Sequence, residues 1–333
     1  MQLELAPMEG ITTYVYRNAL NRYFGGIDTY FSPFISVHKN KRLNFKEKKD
    51  ILPENNKDIN LIPQVMASDI EEFLFTSGEI RDMGYEHINF NFGCPSGTVT
   101  SKGKGSGALI YPDKLEAFLD GVFSRTDFKV SVKTRIGYSD ASEWPGLLSV
   151  YSKFPLEELI IHGRVREEFY KGKSRMEYVA ESIAELSEKM KVSYNGDIFS
   201  TGDYERLCSV MPDAYGCMLG RGIISNPALA RNIKSAGVAS MSEDGSSVSE
   251  EGSSGQSASI DMDAFISFNL ELLSEYERMM SGDKNCLLRL KELWSYMSGI
   301  FKDSGKVLKK IQKTKSVKEY EMHIQNLKAE DLL

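Results

Sequence analysis

Cys94 stands between Gly93 and Pro95, directly after a run in which Ile88, Phe90 and Phe92 alternate with Asn89 and Asn91. The alternation predicts a short strand, and the Gly and Pro predict its end. The thiol is therefore presented at a strand terminus and not packed inside an element. Other chemically capable side chains occupy the same kind of position. Gln64 falls in "PQVMAS", Lys133 and Arg135 in "VSVKTRIGY", and His162 and Arg164 in "IIHGRVRE". Asn195, Gly196 and Asp197 fall in "VSYNGDI", and Gly220 and Arg221 in "GCMLGRGIISNP". Taken singly, each has a structural explanation, such as a Gln that hydrogen-bonds a loop or a satisfied core His. Lys133 is harder to explain that way. A lysine inside an apolar strand needs an anionic partner, because Lys is almost never fully buried unpaired. "NGD" and "LGRG" are Gly-containing turns before helices. There, main-chain N–H groups together with Arg221 can hold a phosphate. The chemistry predicted is recognition of a phosphorylated ligand whose polar groups are read by Gln64, Lys133 and His162.

These residues are positioned by a regular alternation. Candidate strands are Leu3–Ala6, Thr29–Ser32, Leu61–Val65, Ile88–Asn91, Val130–Lys133, Leu159–His162, Val192–Asn195 and Ala214–Leu219. Helical patterns at Asp69–Met83, Asp113–Phe123, Arg175–Lys189 and Thr201–Val210 lie between most of them, with Asp69 and Ser200 as N-caps. This is the rhythm of an α/β fold, a (β/α)8 TIM barrel, whose chemistry lies at the C-terminal ends of the strands and whose phosphate site often follows strands 7 and 8. A doubly wound sheet is the structural rival, but no GxGxxG follows the first strand.

The chain has 333 residues, 41% hydrophobic and 26% charged, the composition of an ordinary globular protein. Its net charge of −6 argues against a simple nucleic-acid-binding domain, but the charge is unevenly placed. Lys284–Lys318 holds ten Lys or Arg and two acids, a local +8, so the remainder carries −14. Ser235–Ser259 has ten Ser, four Gly, four acids and no basic or aromatic residue, and reads as a flexible linker. Three helical patterns follow it, the last being the basic "KVLKKIQKTKSVKEYEMHIQNL". The expected organisation is a barrel over 1–234, a linker over 235–259 and a small C-terminal helical domain over 260–333. No run of 18 apolar residues predicts a membrane span. "MQLELAPMEG" lacks the pattern of a secretory signal. The four cysteines show neither CxxC nor zinc spacing, so a reduced, cytoplasmic protein without a metal is expected.

In order and spacing, "APMEGIT", "PQVMAS", "NFNFGCPS…GSGALI", "VSVKTRIGY", "IHGRVRE", "YNGDI" and "MLGRGIISNPAL" resemble the tRNA-dihydrouridine synthases, from about Leu5 to Leu229. The resemblance implies an FMN-dependent barrel followed by a helical RNA-recognition domain, with tRNA as substrate and NADPH as reductant. It implies that Pro7, Met8, Gln64 and Lys133 contact the isoalloxazine ring, with His162 beside it. Asn195, Gly196, Asp197, Gly220 and Arg221 would hold the phosphate. Asn91 would help hold the uracil, Arg135 and Arg164 would lie at the substrate, and Cys94 would be the general acid. Gly97 stands where the family often has Lys or Arg, with Lys102 and Lys104 further along. Reduction of the uracil C5=C6 bond needs hydride at one carbon and a proton at the other. A thiol of pKa about 8.5 is protonated at neutral pH and can give that proton. Gly103, Gly105 and Gly107 are expected to give the following loop freedom to move.

Two other readings compete. One is an FMN barrel acting on a free pyrimidine or another small molecule, which would share the flavin site but not need a basic helical domain. The other is a non-catalytic RNA-binding module, against which the intact Cys94, Lys133 and His162 speak. Oligomeric state and the modified uridine are left open by the sequence.

Overall fold

The computed structural model describes residues 1–37, 42–242 and 260–333. The chain divides into two units. The first comprises Met1–Glu9, Asp28–Asp197 and Leu207–Leu219, and the second Gly10–Ile27, Ile198–Arg206 and Gly220–Leu333.

The first unit holds one parallel sheet. Its strands among the described residues are β1 (Gln2–Leu5), β2 (Thr29–Phe31), β3 (Ile35–Ser36), β4 (Leu61–Ile62), β5 (Gln64–Met66), β6 (His87–Phe92), β7 (Lys129–Arg135), β8 (Glu158–His162), β9 (Lys191–Asn195) and β10 (Gly216–Leu219). Their order is β3-β5-β6-β7-β8-β9-β10-β1-β2-β4. β4 pairs with β2 and β5 with β6. Only Pro63 separates β4 from β5, so the two are one barrel strand interrupted by a residue that cannot donate to the ladder. Pro63 O still accepts from Asn89 N at 2.9 Å, while Gln64 N donates to Ser32 Oγ at 3.0 Å. This strand closes the ring. β3 is a short extra strand beside it, and the eight remaining strands are those the alternation predicts, giving the expected (β/α)8 barrel.

The period-2 alternation of each strand sorts the barrel interior into layers. Ala6, Phe31, Ile62, Ile160 and Met218 form an apolar layer. Two residues earlier on the same strand faces lie the buried carboxyls of Glu4 and Glu158, where Ser193 Oγ bonds to both. Two residues after Ile160 comes His162, at a strand end. Helices fill the outside at Ile70–Asp82, Pro112–Arg125 and Met176–Leu186, as the patterns predict. Asp69 caps the first by accepting from Glu72 N at 2.9 Å. Phe45–Ile51 and Trp144–Tyr151 are further helices that the sequence reading does not single out.

The second unit is helical. Tyr14–Tyr23 packs with Met262–Met279 through Tyr16 and Phe268, whose rings meet edge-on at 5.7 Å. Asp283–Met297 brings in Trp294, whose Nε1 donates to Tyr320 Oη at 2.8 Å. The basic pattern predicted as one helix is two, Ser304–Lys313 and Val317–Gln325, because Ser316 caps the second by accepting from Glu319 N. The segment read as a linker begins inside a helix, since Leu229–Ser242 runs through its first eight residues. The remainder of that segment lies outside the described residues. No helix among the described residues is long and apolar enough to cross a membrane.

Candidate active site

Cys94 is held from four directions. The side chain of Asn91, at the penultimate position of β6, accepts from Gly93 N at 3.0 Å and from Cys94 N at 2.9 Å. This Asx-type turn needs the carboxamide oxygen of residue 91. The Cys94 carbonyl accepts from Ser106 N at 3.1 Å and Ser106 Oγ at 2.8 Å. On either side, Arg135 Nε donates to Gly93 O at 2.8 Å and Arg166 Nε to Pro95 O at 3.2 Å. The thiol itself is half-buried. Burial raises its pKa, against the opposing pull of a backbone hydrogen bond at Ser96 and of the Arg135 and Lys133 charges. The thiol therefore stays protonated at neutral pH.

Two of the three glycines expected to give the loop freedom, Gly105 and Gly107, also serve close packing. Gly105 has φ +56°, and a Cβ there would come within 2.9 Å of Cys94 O. A Cβ at Gly107 would come within 2.5 Å of Thr100 O. Gly97 and Gly103 have open space around them. A side chain at 105 would press on Cys94, and one at 107 on the main chain of Thr100.

Asn91 is in turn oriented by a one-way chain of amides inside the barrel. Asn91 Nδ2 donates to Gln64 Oε1 at 2.7 Å, Gln64 Nε2 to Asn89 Oδ1 at 2.8 Å, and Asn89 Nδ2 to Ser131 Oγ at 2.9 Å. Ser131 Oγ closes the series by donating to Ile88 O at 3.3 Å. Each donor fixes which way the next amide faces, so the orientation of Asn91 is set three residues away. Asn89, Ser131, Ser106 and Arg166 all escape the sequence reading. Only Arg166 carries a signal, as the second arginine of "HGRVRE".

Lys133, on β7, reaches across to Asn195 on β9, with Nζ 2.8 Å from Oδ1. Asn195 is fixed by its own bond to Met218 O at 2.8 Å. Burial, and then the neighbouring Arg135 guanidinium, lower the Lys133 pKa to about 7. The anionic partner expected of a buried lysine is not a hydrogen-bonding side chain of the protein among the described residues. The group bonded to Nζ is a neutral amide, which leaves the site short of negative charge.

Arg164 and Arg135 are both nearly inaccessible, at 1% exposure each. Arg164 Nε donates to Lys171 O at 3.1 Å and Nη2 to Gly172 O at 2.6 Å, and both Nη atoms pair with the Asp197 carboxylate. Its remaining contact is His162 Nε2 at 3.3 Å. Arginine can only donate, so Nε2 accepts and the proton of a neutral ring sits on Nδ1. These bonds take up all five N–H groups of Arg164, which corrects its assignment to the substrate. Its work is to place His162, Asp197 and the 171–172 loop. Arg135 Nη1 bonds Val165 O and Phe169 O, both at 3.0 Å, and its guanidinium lies 5.7 Å from the half-exposed ring of Tyr170. Nη2 of Arg135 carries no hydrogen bond to a described residue.

The other predicted positions are partly open. Pro7 and Met8 follow β1 and are half-buried. Gly196 follows β9, where a Cβ would sit 1.9 Å from Tyr194 Oη, so only glycine keeps this turn. With the Asp197 carboxylate committed to Arg164, the 196–197 turn offers main chain and not negative charge. In the second unit, Gly220 directly follows β10. Arg221 opens the short helix Arg221–Ser225, its guanidinium 5.6 Å from the Phe199 ring. Among the described residues no cluster of His, Cys, Asp and Glu could hold a metal ion.

The structure is thus a parallel barrel that carries at its strand ends a clamped cysteine, a lysine bonded to a neutral amide and a tight glycine turn. The chain belongs to the dihydrouridine synthase (Dus) family, whose model matches residues 4–331. A tRNA-dihydrouridine(16) synthase of Cupriavidus necator is 29% identical over 240 residues, covering 70% of this chain and 73% of that protein. A probable tRNA-dihydrouridine synthase of Staphylococcus aureus strain COL is 30% identical over 240 residues, covering 67% and 68%. Among solved structures, a variant of NCR from Zymomonas mobilis is 12% identical, with 71% of this chain and 86% of that chain covered and a TM-score of 0.49.

Proposed function

We propose that this protein is a tRNA-dihydrouridine synthase, reducing the C5=C6 bond of a uridine in tRNA with FMN as cofactor and NADPH as reductant. The observation that carries the reading is the four-sided clamp on Cys94, which fixes a protonated thiol at the mouth of the barrel. The residues present fit FMN. Lys133 is a half-buried amine with no anionic hydrogen-bonding side chain among the described residues, and Gly196 keeps a turn that any Cβ would fill. Pro7, Met8, Gln64, Lys133 and His162 are assigned to the ring system. Asn195, the main chain of Gly196 and Asp197, Gly220 and Arg221 are assigned to the phosphate. Bound and reduced, the flavin would supply the hydride for C6 of the uracil.

The chain supplies the rest. Cys94 Sγ gives its proton to C5, and the enolate that would otherwise persist is quenched. Asn91 positions the thiol through its carbonyl oxygen, and its second Nδ2 hydrogen is available to a uracil carbonyl. The uncommitted Nη2 of Arg135 faces the same task. Lys133 and His162 supply positive charge and a hydrogen-bond donor where negative charge develops. The uridine must leave its stack to reach this site, at a cost of a few kcal/mol. Affinity for the rest of the RNA is assigned to the +8 segment in the helical unit.

The test is mass spectrometry of tRNA nucleosides from cells with and without the gene. Loss of a nucleoside two hydrogens heavier than uridine at one position or more supports the reading. An unchanged dihydrouridine profile removes it.

A further inference from the structure

The loop that buttresses Cys94 has a second side. Gly105 and Ser106 touch the cysteine, whereas Lys102, Gly103, Ala108 and Tyr111 of the same loop line a cavity of about 230 Å³. Its floor is apolar. Phe92, two residues before Cys94 and 1% exposed, meets Phe118 and Leu115 of the helix Pro112–Arg125. Its mouth is cationic. Lys102 has no hydrogen-bonded or ion-pair partner for its side chain among the described residues. Among the described residues, Lys114 Nζ meets only the half-exposed Tyr111 ring, 4.5 Å from the centroid. The neighbouring Lys104 differs, being committed to Val37 O at 2.9 Å and Glu72 at 3.1 Å. Two uncommitted ammonium groups over an aromatic-walled hole form a surface complementary to a flat ring carrying an anion.

Size narrows the choice. Drug-sized ligands need roughly 300–1,000 Å³, so this cavity takes a single ring system and not a whole dinucleotide. We propose that the cavity binds one nucleotide of the RNA substrate other than the target uridine, its base against Phe92, Phe118 and Tyr111 and its phosphate against Lys102 and Lys114. This rests on the tRNA reading above. Occupation would stiffen the loop that holds Cys94 O, so RNA binding outside the barrel would complete the acid inside it.

The experiment uses the flavin-loaded protein, Ala108→Phe, which fills the cavity, and the surface double variant Lys102→Ala/Lys114→Ala. Binding of end-labelled tRNA is followed by fluorescence anisotropy, binding of uridine 5′-monophosphate by calorimetry, and flavin reduction by NADPH in stopped flow. Each variant is expected to lose about tenfold in tRNA affinity, the range of one stacked base, with flavin content and flavin reduction rate unchanged. Calorimetry should show a mononucleotide site present in the wild-type protein and missing in Ala108→Phe. Wild-type tRNA affinity in the double variant overturns the proposal even if Ala108→Phe fails to fold. Slowed flavin reduction at unchanged tRNA affinity also overturns it, by assigning the cavity to the free dinucleotide. Failure of the wild-type protein itself to bind tRNA sinks the functional reading as well, an outcome distinct from normal binding by the variants.

Discussion

Asn91 Oδ1 accepts the main-chain N–H of Cys94 at 2.9 Å, so the residue expected to hold the uracil also holds the acid. Removing this oxygen frees the strand-to-loop turn on which the thiol rides. A misplacement of about 1 Å can cost on the order of 10²-fold in rate. Asn91→Ala is therefore expected to slow flavin reoxidation by tRNA about 10²-fold while NADPH reduces the flavin normally. Asn91→Asp keeps the acceptor and should recover part of the loss. Stopped-flow measurement of the two half-reactions separates them, and an equal loss in both variants would contradict the turn as the cause.

Lys133 should destabilise the ligand-free protein. Its pKa is near 7 in the folded chain, against about 10.4 unfolded. The unfolded state therefore binds more protons between these values, and stability rises with pH across that window. Below pH 7 the full penalty is present, on the order of a few kcal/mol at most. Lys133→Met should raise the melting temperature of flavin-free protein at pH 7 and abolish the further rise on adding FMN. A lower melting temperature without flavin would show that the lysine is paired after all.

The carboxyls of Glu4 and Glu158 are both raised, first by burial; for Glu4 the charge of Glu158 adds to it. For a raised carboxyl the stabilising proton is present below the unfolded pKa of about 4.3 and is lost as pH rises through the folded value. Glu4→Gln replaces the protonated acid by a permanent donor to Glu158. The variant should melt a few degrees above wild type at pH 8, with the gap shrinking towards pH 5, as thermal scans at several pH values would show. A gap independent of pH would point to packing instead.

The basic segment is not uniform. Lys302, Lys306 and Lys310 line one groove with His323. Reversing Lys306 and Lys310 to Glu should weaken tRNA binding and reduce the slope of log affinity against log salt by about 0.9 or less for each phosphate no longer neutralised. Flavin content should not change. Equal effects from Lys309 and Lys313 would mean that the groove has no special part.

Much of this is readable from the chain because strand ends are written in local code. Eight apolar stretches, each followed by polar residues, point to the barrel, and "NFGCPS" points to the cysteine. The break at Pro63 is not visible as a break, because one missing N–H does not disturb the apolar pattern around it. The roles of Arg164 and the loop glycines are hidden for a related reason. A guanidinium near a site and a glycine in a loop look the same in sequence whether they serve the ligand or the scaffold. Only the partners, Asp197 and Lys171 in one case and Cys94 O in the other, decide between the two. Arg166 and Ser106 act on carbonyls 71 and 12 residues away, a separation that no spacing rule registers.

The central claim is that Cys94 delivers the proton. Cys94→Ala should keep its flavin and be reduced by NADPH at the wild-type rate, because neither step uses the thiol. Mixing the reduced variant with tRNA in a single turnover should then show flavin reoxidation and dihydrouridine yield slowed by about 10²–10⁴-fold. Cys217→Ala, a buried cysteine away from the strand ends, should react like wild type. Wild-type reoxidation and full dihydrouridine yield in Cys94→Ala would contradict the account and move the proton to another donor.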